Sequence, residues 1–418
     1  DRLASHVSKE STQGVFLSGV CSHYPLSASR ERPVTARSVS LRNPPQMAQY
    51  RIAWMPGDGI GNDVMEATKI VLDRLEFDAE YVQADIGWEF WCTEGEALPE
   101  RTIELLENVD AALFGAITSK PKEEAQAELT PELQAKNLTY QSPIVRLRQH
   151  FNLATNLRPC KGYPGNPLNY KEDIDLIVFR ENTEDLYVGV EYHPVPESLS
   201  EELSKHPKWA RFIEKASLDD IAISLRINTR EGCRNIVKAA FEHAKNFGYP
   251  TVTVVEKPNV VRETSGLMVR TAREVAKEYP GIDLWETNID AMCMWLVKNP
   301  QDYGVLVSSN MFGDIVSDLC AQLVGGLGFA SSGNIGDKLG VFEPTHGSAP
   351  KYAGQYKTNP MAMLLTAKLM LDWLGEKEQA DRLENAVAKT IAEGKARTYD
   401  LGGTDSTLEV AEEVARNL

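Results

Sequence analysis

From Tyr50 onward the chain repeats one pattern: a short apolar run, a glycine-bearing turn, then an amphipathic stretch. YRIAWM leads into PGDGIGNDV and MEATKIVLDRL, and EYVQADIG is followed by a helical stretch near Glu100 to Glu107 and the apolar run DAALFGAI. Beyond a Pro-, Glu- and Lys-rich excursion at 191–218, IAISLRI, GCRNIVKAAFEHAKNFG, TVTVVEK and SGLMVRTAREVAKEY continue the alternation. Strands of period two alternating with helices of period 3.6 predict an α/β fold, a parallel sheet covered by helices. The first glycine turn is not a dinucleotide fingerprint. GxGxxG starting at Gly57 requires glycine at 62 and meets Asn62, so no pyrophosphate is assigned to it.

The second constraint is Asn310 to Gly340, where Asp314 and Asp318 stand four residues apart at the start of a predicted helix. That spacing puts both carboxylates on one face. Ile315, Val316, Leu319, Leu323 and Val324 supply apolar residues to hold the element in place. Two hard oxygen donors suit Mg²⁺ or Mn²⁺, while a helix cap and a solvated carboxylate account for the same spacing. Upstream, Arg148, Arg158 and Arg180 lie in SPIVRLRQHFNLATNLRPCKG and DIDLIVFRENTEDLYVGVEY, together with Ser142 and Tyr187. Arg180 ends an apolar strand, where α/β proteins tend to keep active-site residues. Three arginines in a chain of net charge −16 suggest a polycarboxylate ligand, although singly each suits a surface ion pair.

Lys257 also ends an apolar strand, where partial desolvation suits proton transfer and solvation suits a plain surface charge. Asp290 opens a helix so apolar that burial against something is expected; the bland reading is an N-terminal helix acid. The loop VFEPTHGSAPKYAGQYKTNP, carrying His346, Lys351, Tyr352 and Asn359, can wrap a ligand or serve as a long connection.

The charge balance argues against nucleic acid, and no apolar run approaches a membrane span. Six cysteines without a CxxC pair argue against a zinc cage or a disulfide framework. Residues 1–48, Ser-rich with Arg30, Arg32, Arg37 and Arg42, fit a transit peptide or an upstream-derived leader. The expected location is accordingly cytoplasmic, or mitochondrial if that segment is a transit peptide.

PGDGIG, LRQHFNL with NLRP, FRENTEDLY, EKPN, NIDA, NMFGDIVSDLCAQLVGGLG and THGSAPKYAG, in this order over about residues 50 to 418, resemble the metal-dependent β-decarboxylating dehydrogenases of isocitrate, 3-isopropylmalate and homoisocitrate. The resemblance implies an isocitrate/isopropylmalate dehydrogenase-like fold: a large doubly wound α/β domain (49–153 and 325–418) and a smaller α/β domain (154–190 and 219–324). The excursion at 191–218 falls where a dimerising clasp begins. It also implies Tyr187 and Lys257 as the acid/base pair, and Arg148, Arg158 and Arg180 on substrate carboxylates. Ser142, with Ile144 two residues on, faces the substrate's variable group.

The same resemblance implies Asp290, Asp314 and Asp318 as ligands of Mg²⁺ or Mn²⁺. His346, Lys351, Tyr352, Asn359, Tyr399 and Asn259 fall on the cofactor, with NADP favoured over NAD because Lys351, Tyr352 and Tyr399 match a 2′-phosphate grip. Gly403 stands where a further phosphate-binding arginine is often found. Lys257 and Asp290 would reach into a second subunit's site, making the protein a homodimer or higher oligomer. Ser142, the Lys351–Tyr352 pair and Tyr399 resemble isocitrate enzymes. Ile144 with Val145 resembles the apolar wall of isopropylmalate enzymes, and Val260 after Pro258 leans toward that branch and the homoisocitrate one. The implied substrate is isocitrate, with 3-isopropylmalate or homoisocitrate as alternatives. A non-catalytic regulatory subunit should have lost some of Tyr187, Lys257, Asp314 or Asp318, and none is lost; a plain anion binder would not need them.

Overall fold

The structure, a computed structural model, describes residues 48–418. The expected leader lies outside the described residues, apart from Ala48. Twelve strands are present among them: β1 Tyr50–Gly57, β2 Ala79–Gln83, β3 Ala111–Ala116, β4 Thr155–Lys161, β5 Asp175–Glu181, β6 Glu191–Tyr192, β7 Ile223–Ser224, β8 Thr251–Glu256, β9 Asp283–Asn288, β10 Val305–Ser308, β11 Ser331–Ile335 and β12 Gly340–Pro344. Ten of them form one sheet in the order β2-β1-β3-β12-β11-β4-β5-β10-β8-β9.

The sheet is mixed rather than wholly parallel. β2, β1, β3 and β12 run parallel to one another, as do β5, β10, β8 and β9. In the middle, β11 is antiparallel to both β12 and β4, and β4 is antiparallel to β5. This reversal aims the ends of β5, β8 and β10 opposite to those of β1 and β3. Alternation sets which face each side chain covers. Ile52 and Leu113 pack with the helices Ile60–Arg74, Met361–Leu374 and Lys377–Glu393, while Ala53, Met55 and Phe114 pack on the opposite face with Leu98, Ile103 and Leu147.

The other half of the sheet repeats the scheme. Phe179, Val254 and Val307 meet the helices Arg230–Phe247 and Thr264–Ala276, whereas Val178, Val255 and Leu306 meet Ile289–Lys298 and Asn310–Leu323. Local chemistry fixes several of these helices. Thr229 caps Arg230–Phe247 by accepting from Gly232 N at 3.0 Å, and Gly248 ends it in the left-handed region. Ser406 and Glu409 form a capping box on Thr407–Arg416.

Two sequence expectations change. IAISLRI does not join the main sheet: within it only Ile223 and Ser224 form a strand, and they pair with Glu191 and Tyr192 in a separate two-stranded ribbon. That ribbon closes the base of the 191–218 excursion, which holds its own short helices Glu197–Leu203 and Ala210–Ile213. The helix Ile289–Lys298 buries only Met292 and Leu296; Met294, Trp295 and Val297 face outward. Its apolar composition therefore exceeds what this chain alone covers.

Candidate active site

Arg180 leaves the end of β5 beneath the helix Asn310–Leu323. The helix passes close because position 313 is glycine, where a Cβ would stand 2.7 Å from Arg180 Cγ. Asn310 Oδ1 accepts from Arg180 Nε at 3.0 Å and Nη2 at 2.8 Å, which leaves Nη1 to bond Asp314 Oδ1. Arg158, from β4, donates through Nη1 to Ser317 Oγ at 2.7 Å and Asp318 Oδ1 at 3.0 Å, and lies 3.2 Å from Asp314 Oδ1. Tyr187 sits in the single turn Leu186–Val188, opened by Asp185, and its hydroxyl donates to Asp314 Oδ2 at 2.6 Å. Arg180, Arg158, Tyr187, Asp314 and Asp318 thus form one knot.

Arg148 reaches the same region from the helix Pro143–His150. It is buried, with Nε on Asn334 Oδ1 at 2.9 Å and Nη2 on Glu343 Oε1 at 3.2 Å. The charges perturb one another. Burial alone would raise the Asp314 carboxyl, but the guanidiniums of Arg180 and Arg158 outweigh it and hold that carboxyl below its usual value. Asp318 is pushed up, chiefly by burial and further by Asp314, against the pull of Arg158. Burial, then the hydrogen bond to Asp314, raises the Tyr187 hydroxyl and keeps it protonated at neutral pH. Burial with Arg158 and Arg148 nearby brings Arg180 down to about 10.

Lys257 and Asp290 form a separate ion pair, with the Asp290 side chain 68% exposed. The three aspartates are therefore not brought together: no group of three His, Cys, Asp or Glu side chains able to hold a metal is present among the described residues. Asp314 and Asp318 do remain, one turn apart and partly open to solvent, as the two hard carboxylate donors a Mg²⁺ or Mn²⁺ ion takes. Behind Lys257, the buried carboxylates Asp185 and Glu256 share Arg226, at 2.6 Å and 3.3 Å. They also accept from Met311 N at 3.1 Å and Ser309 N at 3.0 Å, which pins the start of the aspartate-bearing helix. Ser142 stands at the N-cap of Pro143–His150 without bonding a helix N–H. Ile144 is packed into the core beside Leu147 and Leu153.

On the other side, the PGDGIG turn is filled by protein. A Cβ on Gly59 would lie 2.1 Å from Ser348 O, and one on Gly61 2.2 Å from Pro56 O; Ile60 N donates to Ser348 O at 2.8 Å. Gly59 lets the turn meet the THGSAP loop and Gly61 lets it close on itself against β3, which explains a glycine-rich sequence without a pyrophosphate fingerprint. Asp63 holds the continuation of that loop, accepting from Gly354 N at 3.1 Å and Tyr356 N at 3.3 Å.

Lys351 lies 4.6 Å over the Tyr352 ring, and Tyr352 and Tyr399 are 6.3 Å apart, so these three gather as one cluster. His346 bonds Gly347 O at 3.1 Å through Nδ1, its Nε2 is enclosed without a partner, and burial lowers its pKa. Asn359 is occupied internally, donating to Asp400 at 3.0 Å and accepting from Met361 N at 3.0 Å. Asn259 is exposed on the turn after β8. At Gly403 a Cβ would lie 2.0 Å from Arg397 O, which excludes an arginine there unless that backbone moves.

Sequence reading missed Asn310, Gly313, Asn334, Glu343, Asp63 and Arg226. Asn310 and Gly313 lie inside the NMFGD motif and were open to notice; Asn334 and Arg226 carry no local signal.

A helix-covered sheet that points three guanidiniums, a tyrosine and two carboxylates at one place defines an α/β enzyme for a small, oxygen-rich anion. Residues 51–414 match the family model described as isocitrate/isopropylmalate dehydrogenase, and the chain belongs to that family of decarboxylating dehydrogenases. It is 41% identical over 364 residues to Protein DlpA of Legionella pneumophila, covering 87% of this chain but 58% of that protein's length. It is 42% identical over 372 residues to 3-isopropylmalate dehydrogenase of Methanothermobacter thermautotrophicus, covering 89% of this chain and 99% of the other. Its fold is similar to that of isocitrate dehydrogenase from Methylococcus capsulatus, with TM-score 0.77, 32% identity, and coverage of 88% and 99%.

Proposed function

We propose that this chain oxidises and decarboxylates isocitrate to 2-oxoglutarate and CO₂ with reduction of NADP⁺ or NAD⁺, aided by Mg²⁺ or Mn²⁺. The knot of Arg158 and Arg180 around Asp314 and Tyr187, with Arg148 reaching the same region, carries this reading. Guanidiniums fork onto carboxylates, and three around one point suit a di- or tricarboxylate. A divalent cation held by Asp314 and Asp318, with Asp290 from a second copy, would supply Lewis-acid polarisation of the substrate oxygens. Lys257 would take the substrate hydroxyl proton, and a nicotinamide bound at the site would supply the hydride acceptor. Tyr187, kept protonated, then donates to the carbon that has lost CO₂.

Ile144 supports isocitrate because it packs into the core, leaving Ser142 to face the third carboxylate. The Lys351, Tyr352 and Tyr399 cluster supports NADP. The outward-facing Trp285, Met294, Trp295 and Val297, beside Asp290, support a homodimer with shared sites. The second reading, 3-isopropylmalate, is favoured by the 42% identity to an enzyme of that name and by the half-buried Val145.

The test is steady-state formation of reduced nicotinamide with Mg²⁺, crossing isocitrate, 3-isopropylmalate and homoisocitrate against NAD and NADP. Highest kcat/KM for isocitrate supports the proposal. Highest kcat/KM for 3-isopropylmalate would transfer it to the second reading, and no turnover with any of them would favour a non-catalytic subunit.

A further inference from the structure

The carboxylate-binding arginines are not independent. Asn334, fully buried on β11, lies directly across from Asn156 on β4, and Asn156 lies across from Arg180 on β5. One oxygen, Asn334 Oδ1, accepts from Arg148 Nε at 2.9 Å, Asn156 Nδ2 at 2.9 Å and Asn182 Nδ2 at 3.0 Å. Asn156 Oδ1 in turn accepts from Arg158 Nε at 2.8 Å. The Asn334 amide nitrogen donates to Glu343 Oε1 at 2.8 Å and Val341 O at 3.2 Å. Arg148, from a helix outside the β4–β5 pair, and Arg158 are therefore held in register through two amides where β11 meets β4.

We infer that Asn334 is a positioning residue that fixes the spacing of Arg148 and Arg158 for a polycarboxylate substrate. Nothing in the chemistry of the reaction requires an amide at this place. Its use is geometric: an uncharged acceptor that takes three donors holds Arg148 directly and Arg158 through Asn156, without adding to the negative charge that Glu343 and Asp318 already set against them. A carboxylate there would pair with Arg148 and cancel part of the charge the substrate needs. An alanine would take the acceptor from Arg148 Nε and Asn156 Nδ2, both buried, and leave Glu343 as the remaining hold on Arg148.

The inference rests on the functional reading above, and the test separates the two. KM and kcat are measured for Asn334→Ala, Arg148→Met and the double variant, with the substrate and the cofactor varied separately. The expected result is a rise of roughly 10- to 100-fold in substrate KM for Asn334→Ala, with cofactor KM within about twofold of the unchanged protein. The double variant should fall short of the product of the two single effects, because the part of the Asn334 effect that passes through Arg148 is already lost in Arg148→Met, while the part that passes through Asn156 to Arg158 remains. Should Asn334→Ala not fold, Asn156→Ala breaks the same chain at Arg158 and is expected to raise substrate KM roughly tenfold.

A merely structural role would lower the yield of folded protein and kcat while leaving substrate KM in place, and its effect would multiply with that of Arg148→Met. That result would overturn the inference and leave the function standing. Absence of turnover by the unchanged protein would overturn the functional reading and this inference with it.

Discussion

The arginine–aspartate knot and the Lys257–Asp290 pair differ in who holds them. In the knot, Arg180 is 2% exposed at its side chain and bonds Asn310 and Asp314, and Arg158 and Tyr187 close on the same carboxylate. Every member is fixed by another element of the same chain. Lys257 and Asp290 have each other at the rim, and the helix that carries Asp290 turns Met294, Trp295 and Val297 outward. A buried, cross-braced cluster is preorganised by folding; an exposed ion pair is held weakly and is free to exchange partners. On the proposed homodimer, the knot is the half of the site that one chain completes, and the Lys257–Asp290 pair is the half that a second copy would complete.

The largest expected effect is in the knot. Asp314→Asn should lower kcat by roughly a thousandfold or more, because it removes the negative charge that the proposed cation needs and replaces one of the two oxygens accepting from Arg180 and Tyr187 with an NH₂ donor. Steady-state assay at saturating Mg²⁺ checks this, and a loss below about tenfold would place the chemistry elsewhere.

Next is the rim. Lys257→Met should cost about 10²- to 10⁴-fold in kcat with little change in thermal midpoint, as for a proton-transfer group that braces nothing. Mixing Lys257→Met with Asp314→Asn after joint refolding should restore about a quarter of the original activity, since half of random dimers are mixed and each holds one intact site. No recovery would mean that the two halves of the site belong to one chain and that the comparison fails.

The smallest effect concerns stability and pH. The carboxyl of Asp314 is held below its ordinary value of 3.8 in the folded state, so the unfolded chain binds more protons there. Its contribution is present above the unfolded value and is lost as pH falls through the folded one. Thermal midpoints from pH 5 to 3 should therefore drop more steeply for the original protein than for Asp314→Asn; parallel curves would show that Arg180 and Arg158 do not stabilise the ionised form.

Legibility followed the range of the interactions. Asp314 and Asp318 were readable together because a helix turn joins residues four apart. The PGDGIG glycines were visible as a turn, yet the contact of Gly59 with Ser348 depends on a segment almost 290 positions away. IAISLRI carries the strand pattern and still forms only a two-residue ribbon, because its partner is the excursion and not the main sheet. The helix after Asp290 was expected to be buried, and its outer face is not, since apolar composition states a need for cover without saying which molecule provides it.

By itself the sequence determined the α/β alternation and the family, both of which rest on periodicity and short motifs. Only the tertiary structure decided that β11 and β4 reverse the sheet, that Asn334 links Arg148 to Arg158, and that Asp290 stands with Lys257 apart from Asp314 and Asp318. Those outcomes depend on strand order and on hydrogen bonds between residues up to 186 positions apart, which no local pattern encodes.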